Sequence, residues 1–182
     1  MKCNETPISG ILVFEPKVYL DERGAFMESF NHEIFNEKTN GNYAFVQDNQ
    51  SVSSKGVLRG LHFQNPPYEQ GKLIRVVNGR VFDVAVDIRK SSPTYGAHFS
   101  IELSAENHKQ LWVPPGFAHG FIALEENTTL LYKVTEYYNP QSEGVLLWND
   151  PDLNIDWGIN TILISDKDKL GEDFCSFATN FK

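Results

Sequence analysis

Apolar and polar residues alternate along most of this chain, in short runs punctuated by glycine, proline and asparagine. Period-two alternation puts successive side chains on opposite faces of an extended strand. Residues 11–19 (ILVFEPKVY) read as a strand interrupted by Pro16, 21–24 as a turn and 25–30 as a short strand. Residues 31–39 (NHEIFNEKT) are the first plausible helix, short and weakly amphipathic. In 45–51, Phe45, Gln47, Asn49 and Ser51 share one face. Amides in that register are either solvated polarity or hydrogen-bonding groups lining a cavity. Further strands are expected at 98–103, at 111–124 around a Pro-Pro-Gly turn, at 130–138 and at 145–148. From residue 149 the chain is loop-like, with a short apolar stretch at 161–164 and a short helix or turn over 165–174. Ser165 and Asp168 there form a capping-box-like pair.

The clearest local signal is 72–89 (KLIRVVNGRVFDVAVDIR). Asn78-Gly79 between two β-branched runs predicts a hairpin with a type I′ turn. In that register Lys72, Ile74 and Val76 share a face with Val81, Asp83 and Ala85. Lys72 and Asp83 then become diagonal neighbours on a face that is otherwise apolar. A lysine on a strand is ordinarily solvated, but this setting favours the floor of a polar pocket. Many short strands, frequent turns and little helix predict an all-β sandwich or barrel. No repeat, low-complexity segment or linker interrupts the pattern, so 1–182 are expected to form a single domain.

Charge and cysteine usage narrow the partners. A net charge of -8 argues against a nucleic-acid backbone, while leaving room for an anionic small molecule wherever arginine and lysine converge. Cys3 and Cys175, near the two ends, give no disulfide framework and suit a reducing cytoplasm. The chain is polar after Met1-Lys2, so no signal peptide is expected, and no apolar run approaches a membrane span.

The chemistry concentrates in 56–64, GVLRGLHFQ. Arg59 and His62 are three apart, which in a regular strand sends them to opposite faces. Gly60 between them is suited to a bulge that re-aims a side chain. The stretch is therefore either a core strand with a satisfied histidine and a surface arginine, or a base and an anion clamp turned into one cavity. Residues 114–121 (PPGFAHGF) carry the P-x-G-x-x-H spacing of the second cupin motif. Metal cupins pair that histidine with a first H-x-H motif, but the candidate here is His62-Phe63-Gln64. One histidine per motif is too few for a zinc or iron site, so a cupin-type jelly-roll barrel without metal is expected.

These motifs together resemble the dTDP-4-dehydrorhamnose 3,5-epimerase family. The resemblance is carried in order by GVLRGLHFQ, QGKLIRVVNGRVFDVAVDIR, WVPPGFAHGF, LYKVTEYYNP and EGVLLWNDP, spanning about 21–168. It implies a homodimeric jelly-roll barrel with a few short helices, no metal and no cofactor. It also implies conversion of dTDP-4-dehydro-6-deoxy-D-glucose to dTDP-4-dehydro-L-rhamnose, by inversion at C3 and C5, in dTDP-L-rhamnose biosynthesis. Both carbons flank the C4 ketone, so their protons are removable once the enolate is stabilised. Inversion requires a base on one ring face and a proton source on the other.

By the resemblance, His62 is the base, Asp168 its orienting carboxylate, Tyr132 the proton donor and Lys72 the cation for the C4 oxygen. Arg23, Arg59 and Lys167 match positions near the nucleotide or diphosphate. Glu28, Gln47, Asp48, Asn49, His119 and Glu143 match other binding positions, and Tyr138 stacks or hydrogen-bonds in the pocket. Asp83 is expected to hold Lys72. The chain departs from the family pattern at Ala25 and Met27, where larger aromatics are more usual. The competing expectations are a related dTDP-sugar epimerase acting at C3 or C5 alone, a ketoisomerase, a non-catalytic sugar-nucleotide-binding cupin and a metal-dependent cupin oxygenase.

Overall fold

The computed structural model of the chain describes residues 1–41 and 43–182. Its strands are β1 (Lys2–Glu5), β2 (Leu12–Glu15), β3 (Val18–Asp21), β4 (Gly24–Met27), β5 (Gln47–Ser53), β6 (Val57–Gln64), β7 (Lys72–Asn78), β8 (Arg80–Asp87), β9 (His98–Ser104), β10 (Gln110–Val113), β11 (Phe117–Ala123), β12 (Thr128–Val134), β13 (Glu143–Val145) and β14 (Leu163–Ile164). The helices are α1 (His32–Thr39) and α2 (Asp166–Lys169). One six-stranded sheet runs β1-β2-β10-β7-β12-β5. The second runs β13-β6-β11-β8-β9, with β14 added parallel to β6. β3 and β4 form a separate two-stranded hairpin.

The two large sheets share no strand, and among the described residues no strand at the rim of one pairs with the other. The expected jelly-roll barrel is therefore not formed. The sheets stay open and lie face to face as an all-β sandwich. Period-two alternation determines which face of a strand is buried, and that requirement is the same in a sandwich and a barrel. Closure depends on strand tilt and stagger around the whole sheet.

Three apolar clusters follow from this layering. Ile74, Val76, Leu111, Val113 and Leu130 of the first sheet meet Val81, Ala85, Leu103, Phe117 and Phe121 of the second in the middle layer. The outer face of the first sheet buries Leu73 and Trp112 against Phe14 and Phe35, the latter from α1. Phe35 and Trp112 meet edge to face, with centroids 4.9 Å apart. The outer face of the second sheet is covered by the C-terminal segment, where Leu153, Trp157 and Phe181 pack on Leu58, Val84 and Ile122. No helix among the described residues is long and apolar enough to cross a membrane.

Asn78-Gly79 does turn the chain, and Gly79 has φ +73, but the strands it joins are not a hairpin. β7 lies between β10 and β12, and β8 between β9 and β11, so each strand already has both edges paired. The turn carries the chain from one sheet to the other. Lys72 and Asp83 still face the same interior, now from opposing sheets rather than along one hairpin. β1 was not anticipated, because KCNE lacks an apolar alternation; it forms as an outer strand paired to β2.

The bulge expected at Gly60 is present. His119 pairs with His62 and Phe121 with Arg59, so one residue of β11 opposes both Gly60 and Leu61 of β6. Gly60 has φ +136, and a Cβ there would lie 2.5 Å from the Gly120 Cα and 2.9 Å from the His119 carbonyl oxygen. Two strand backbones thus approach through paired glycines, which no side chain permits. Gly60→Ala is expected to destabilise the protein by about 2–4 kcal/mol, through positive-φ strain and forced strand separation. A fall in the urea unfolding midpoint checks this.

Candidate active site

Because β6 is bulged, Arg59 and His62 both turn to one side instead of two. They line a cavity of about 550 Å³, which also receives Lys72, His119, Tyr132, Lys167 and Asp168. An adjoining space of about 260 Å³ shares His62, Lys72 and Tyr132 and adds Gln47, Asn49, Tyr138 and Glu143. The imidazole and the phenol therefore open into common space.

His62 and Asp168 are brought together across 106 residues, with His62 Nε2 2.7 Å from Asp168 Oδ1. Ser165 caps α2 by accepting from the Asp168 N–H at 3.1 Å. The capping geometry and the approach to His62 thus coexist: the Asp168 backbone serves the helix, and its carboxylate reaches the histidine. Asp168 Oδ2 also accepts from the Gly60 N–H at 3.3 Å, which ties the carboxylate to the bulge. Burial alone would raise the Asp168 pKa. The His62 hydrogen bond and charge, with the Gly60 and Ser165 hydrogen bonds, outweigh it and hold the group below the usual carboxylate range.

Lys72 is only 9% exposed and donates from Nζ to the His62 carbonyl oxygen at 3.0 Å, bridging the sheets. Burial drives its ammonium down to about 8, against the opposing charges of Asp83 and Glu143. Tyr132 is pushed up mainly by burial and further by Glu143, with Arg59 acting in the other direction. Its hydroxyl is therefore held protonated. Facing His119 is a second histidine–carboxylate contact, His119 Nε2 to Asp83 Oδ1 at 2.8 Å.

At the mouth, Glu143 Oε2 accepts from Tyr138 Oη at 2.8 Å and meets Lys167 Nζ at 2.5 Å. Burial works to raise the Glu143 pKa, but the hydrogen bonds from Lys167 and Tyr138 and the nearby charges lower it overall. Arg59 donates from Nε to Ser53 Oγ at 3.3 Å and has no carboxylate partner among the described residues. Its guanidinium is open to an anionic ligand. Gln47 donates to Asn49 at 2.8 Å on the inward face of β5, as their shared register anticipated.

Three expected site residues are not in this cavity. Asp48 points to the other face of the first sheet, where Lys133 donates to it at 2.9 Å. Arg23 is paired with Asp21 in the β3–β4 hairpin and is almost fully exposed, and Glu28, just beyond β4, is exposed. One lining residue carries little signal in the sequence. Gln64 is buried and donates to the Tyr68 and Tyr137 carbonyls while accepting from the Asn139 N–H. It braces the loops that carry Tyr138, and its only sequence signal is its place beside His62.

Residues 5–175 match the family described as dTDP-4-dehydrorhamnose 3,5-epimerase. The chain belongs to that family. A dTDP-4-dehydrorhamnose 3,5-epimerase from Shigella flexneri is 54% identical over 174 residues, 96% of each chain. The crystal structure of the Legionella pneumophila dTDP-6-deoxy-D-glucose-3,5-epimerase in complex with dTDP-4-keto-L-rhamnose superposes with a TM-score of 0.94 at 46% identity, covering 97% of this chain and 94% of that one. A 3'-monoepimerase from Streptomyces bikiniensis in complex with dTDP-quinovose has a TM-score of 0.89 at 32% identity, covering 93% and 86%. Among the described residues of this dTDP-4-dehydrorhamnose 3,5-epimerase family member, no three His, Cys, Asp or Glu side chains converge into a metal-binding group.

Proposed function

We propose that this chain converts dTDP-4-dehydro-6-deoxy-D-glucose to dTDP-4-dehydro-L-rhamnose by inverting C3 and C5, a step of dTDP-L-rhamnose biosynthesis. The observation that carries this is the carboxylate-backed His62 and the protonated Tyr132 lining one cavity with Lys72 between the sheets. His62 removes the proton from a carbon next to the ketone, and the electron pair moves to the C4 oxygen as an enolate. Lys72 donates to that oxygen, and Tyr132 returns a proton to the opposite face of the carbon. The imidazolium and the phenolate then exchange protons with water before the second inversion. Asp168 fixes the imidazole and stabilises its charged form. Arg59 and Lys167 receive the diphosphate, Gln47, Asn49, His119 and Glu143 contact the sugar nucleotide, and Tyr138 packs on the base.

Arg23 and Glu28 enter this scheme through a homodimer. Their hairpin exposes Tyr19, Leu20 and Phe26, the last two at 79% and 71%. Large apolar side chains so exposed on a projecting hairpin suit burial against a second copy. The hairpin then brings both residues, and the departures at Ala25 and Met27, to the partner's cavity. Sedimentation is expected to give a dimer, and Leu20→Asp is expected to shift it toward monomer. We place the protein in the cytoplasm, in keeping with two free thiols, Cys3 and Cys175.

The test is incubation with dTDP-4-dehydro-6-deoxy-D-glucose and assignment of product stereochemistry from ring-proton couplings. Inversion at both carbons is expected. The similarity to a 3'-monoepimerase supplies the rival outcome, inversion at C3 alone, which would replace this function with the single epimerisation.

A further inference from the structure

β5 turns one polar face to the interior. Gln47, Asn49, Ser51 and Ser53 share it by period two, and Ser53, the last of them, is only 3% exposed. The neighbouring strand fixes its place, since Ser53 is the register partner of Thr128 on β12. Thr128 is itself buried and donates from Oγ1 to the Glu125 carbonyl at 2.8 Å. A buried hydroxyl is costly unless it is bonded. The partner of this one comes from the other sheet: Arg59 of β6 donates from Nε to Ser53 Oγ at 3.3 Å. Among the described residues the Arg59 side chain makes no other hydrogen bond and no ion pair.

The nitrogen that is used matters. A guanidinium grips an oxyanion bidentately either from its side, through Nε and one Nη, or from its end, through both Nη groups. With Nε given to Ser53, the side-on grip is closed, and the end-on grip is left for the cavity of about 550 Å³ that Arg59 lines. The bulge at Gly60 turns Arg59 to this side of β6. The bond to Ser53 then restrains a long side chain that would otherwise have much rotamer freedom to lose on binding.

We infer that Ser53 is a positioning residue for the nucleotide, holding the Arg59 guanidinium through Nε so that both Nη groups meet the diphosphate end-on. The inference rests on Arg59 receiving the diphosphate. Ser53 itself touches no part of the ligand. Preorganisation of this kind lowers the ordering cost of binding, so it acts on affinity for the diphosphate and not on proton transfer at His62 and Tyr132.

Calorimetry with dTDP and with thymidine, on the full chain and its variants, tests this. Ser53→Ala removes the hydroxyl and little else. It is expected to weaken dTDP binding by about 3–10-fold, the scale of one hydrogen bond, and to leave binding of thymidine, which lacks the diphosphate, unchanged. In turnover KM should rise by the same factor while kcat holds. Arg59→Ala is expected to weaken dTDP binding further, and adding Ser53→Ala to it should cost nothing more, because the hydroxyl then has no guanidinium to hold. Unchanged dTDP affinity in Ser53→Ala would overturn the inference while leaving Arg59 as a diphosphate contact. An equal loss of thymidine binding, or a further loss of dTDP affinity in the Arg59→Ala background, would also overturn it, by making Ser53 a packing residue only. Unchanged dTDP affinity in Arg59→Ala would overturn the role of Arg59 and this inference with it. Should Ser53→Ala fail to fold, a crystal structure of the unsubstituted chain with dTDP decides. Arg59 Nε is expected on Ser53 Oγ with both Nη groups on phosphate oxygens; any other arrangement, such as Nε on a phosphate oxygen, would refute the inference.

Discussion

His62→Ala is expected to lower kcat by about 10²–10⁴-fold, the range a positioned general base contributes, while dTDP still binds. The side chain is 31% exposed, so its removal opens the cavity without hollowing the core. The nucleotide contacts assigned to Arg59, Lys167 and Tyr138 lie outside the imidazole and survive the change. Isothermal titration with dTDP and a turnover assay on the same preparation separate binding from chemistry. Near-normal turnover would remove His62 from the role of base. The Asp168 carboxyl would be left buried with one partner fewer, so a moderate fall in thermal stability should accompany the loss of activity.

Tyr132→Phe is expected to cost about 10²–10⁴-fold in the rate of inversion, by deleting the proton returned to the opposite face. Its signature is qualitatively different from that of His62→Ala. His62, Asp168 and Lys72 remain, so the enolate still forms and can be reprotonated by the imidazolium on the face it came from. In deuterated buffer the recovered starting sugar should gain label with retained configuration, as mass spectrometry and NMR would show. Loss of exchange together with loss of inversion would instead place Tyr132 in forming the enolate. Since Tyr132 packs at the edge of the middle core layer, phenylalanine preserves that contact and the fold.

Much of the fold was legible because strand alternation reports burial directly. Lys72, Ile74 and Val76, expected on one hairpin face with Val81, Asp83 and Ala85, do turn inward with them, but from opposing sheets. What alternation does not carry is which strand lies beside which. Asn78-Gly79 has the chemistry of a tight hairpin, but β10 and β12 occupy both edges of β7, so long-range pairing overrides the local turn preference. The same gap separates an open sandwich from a closed barrel.

At the site, Gly60 betrayed its bulge because a glycine between two chemically distinctive residues has few other uses. Asp168 was legible as a helix cap from its own neighbourhood, whereas its bond to His62 spans 106 residues and came only from the family resemblance. Asp48 was expected at the site from the resemblance alone. It lies between Gln47 and Asn49 in sequence, and period two sends it to the other face, to Lys133.

The most direct measurement is a crystal structure of the chain with a non-reactive dTDP-hexose. The sugar ring is expected between His62 and Tyr132, with Nε2 or Nδ1 of the imidazole below C3 or C5, the phenol oxygen above the same carbon, and Lys72 within hydrogen-bond reach of the C4 substituent. A ring presenting one face to both groups, or lying away from His62 altogether, would contradict two-sided proton transfer as the basis of this enzyme's action.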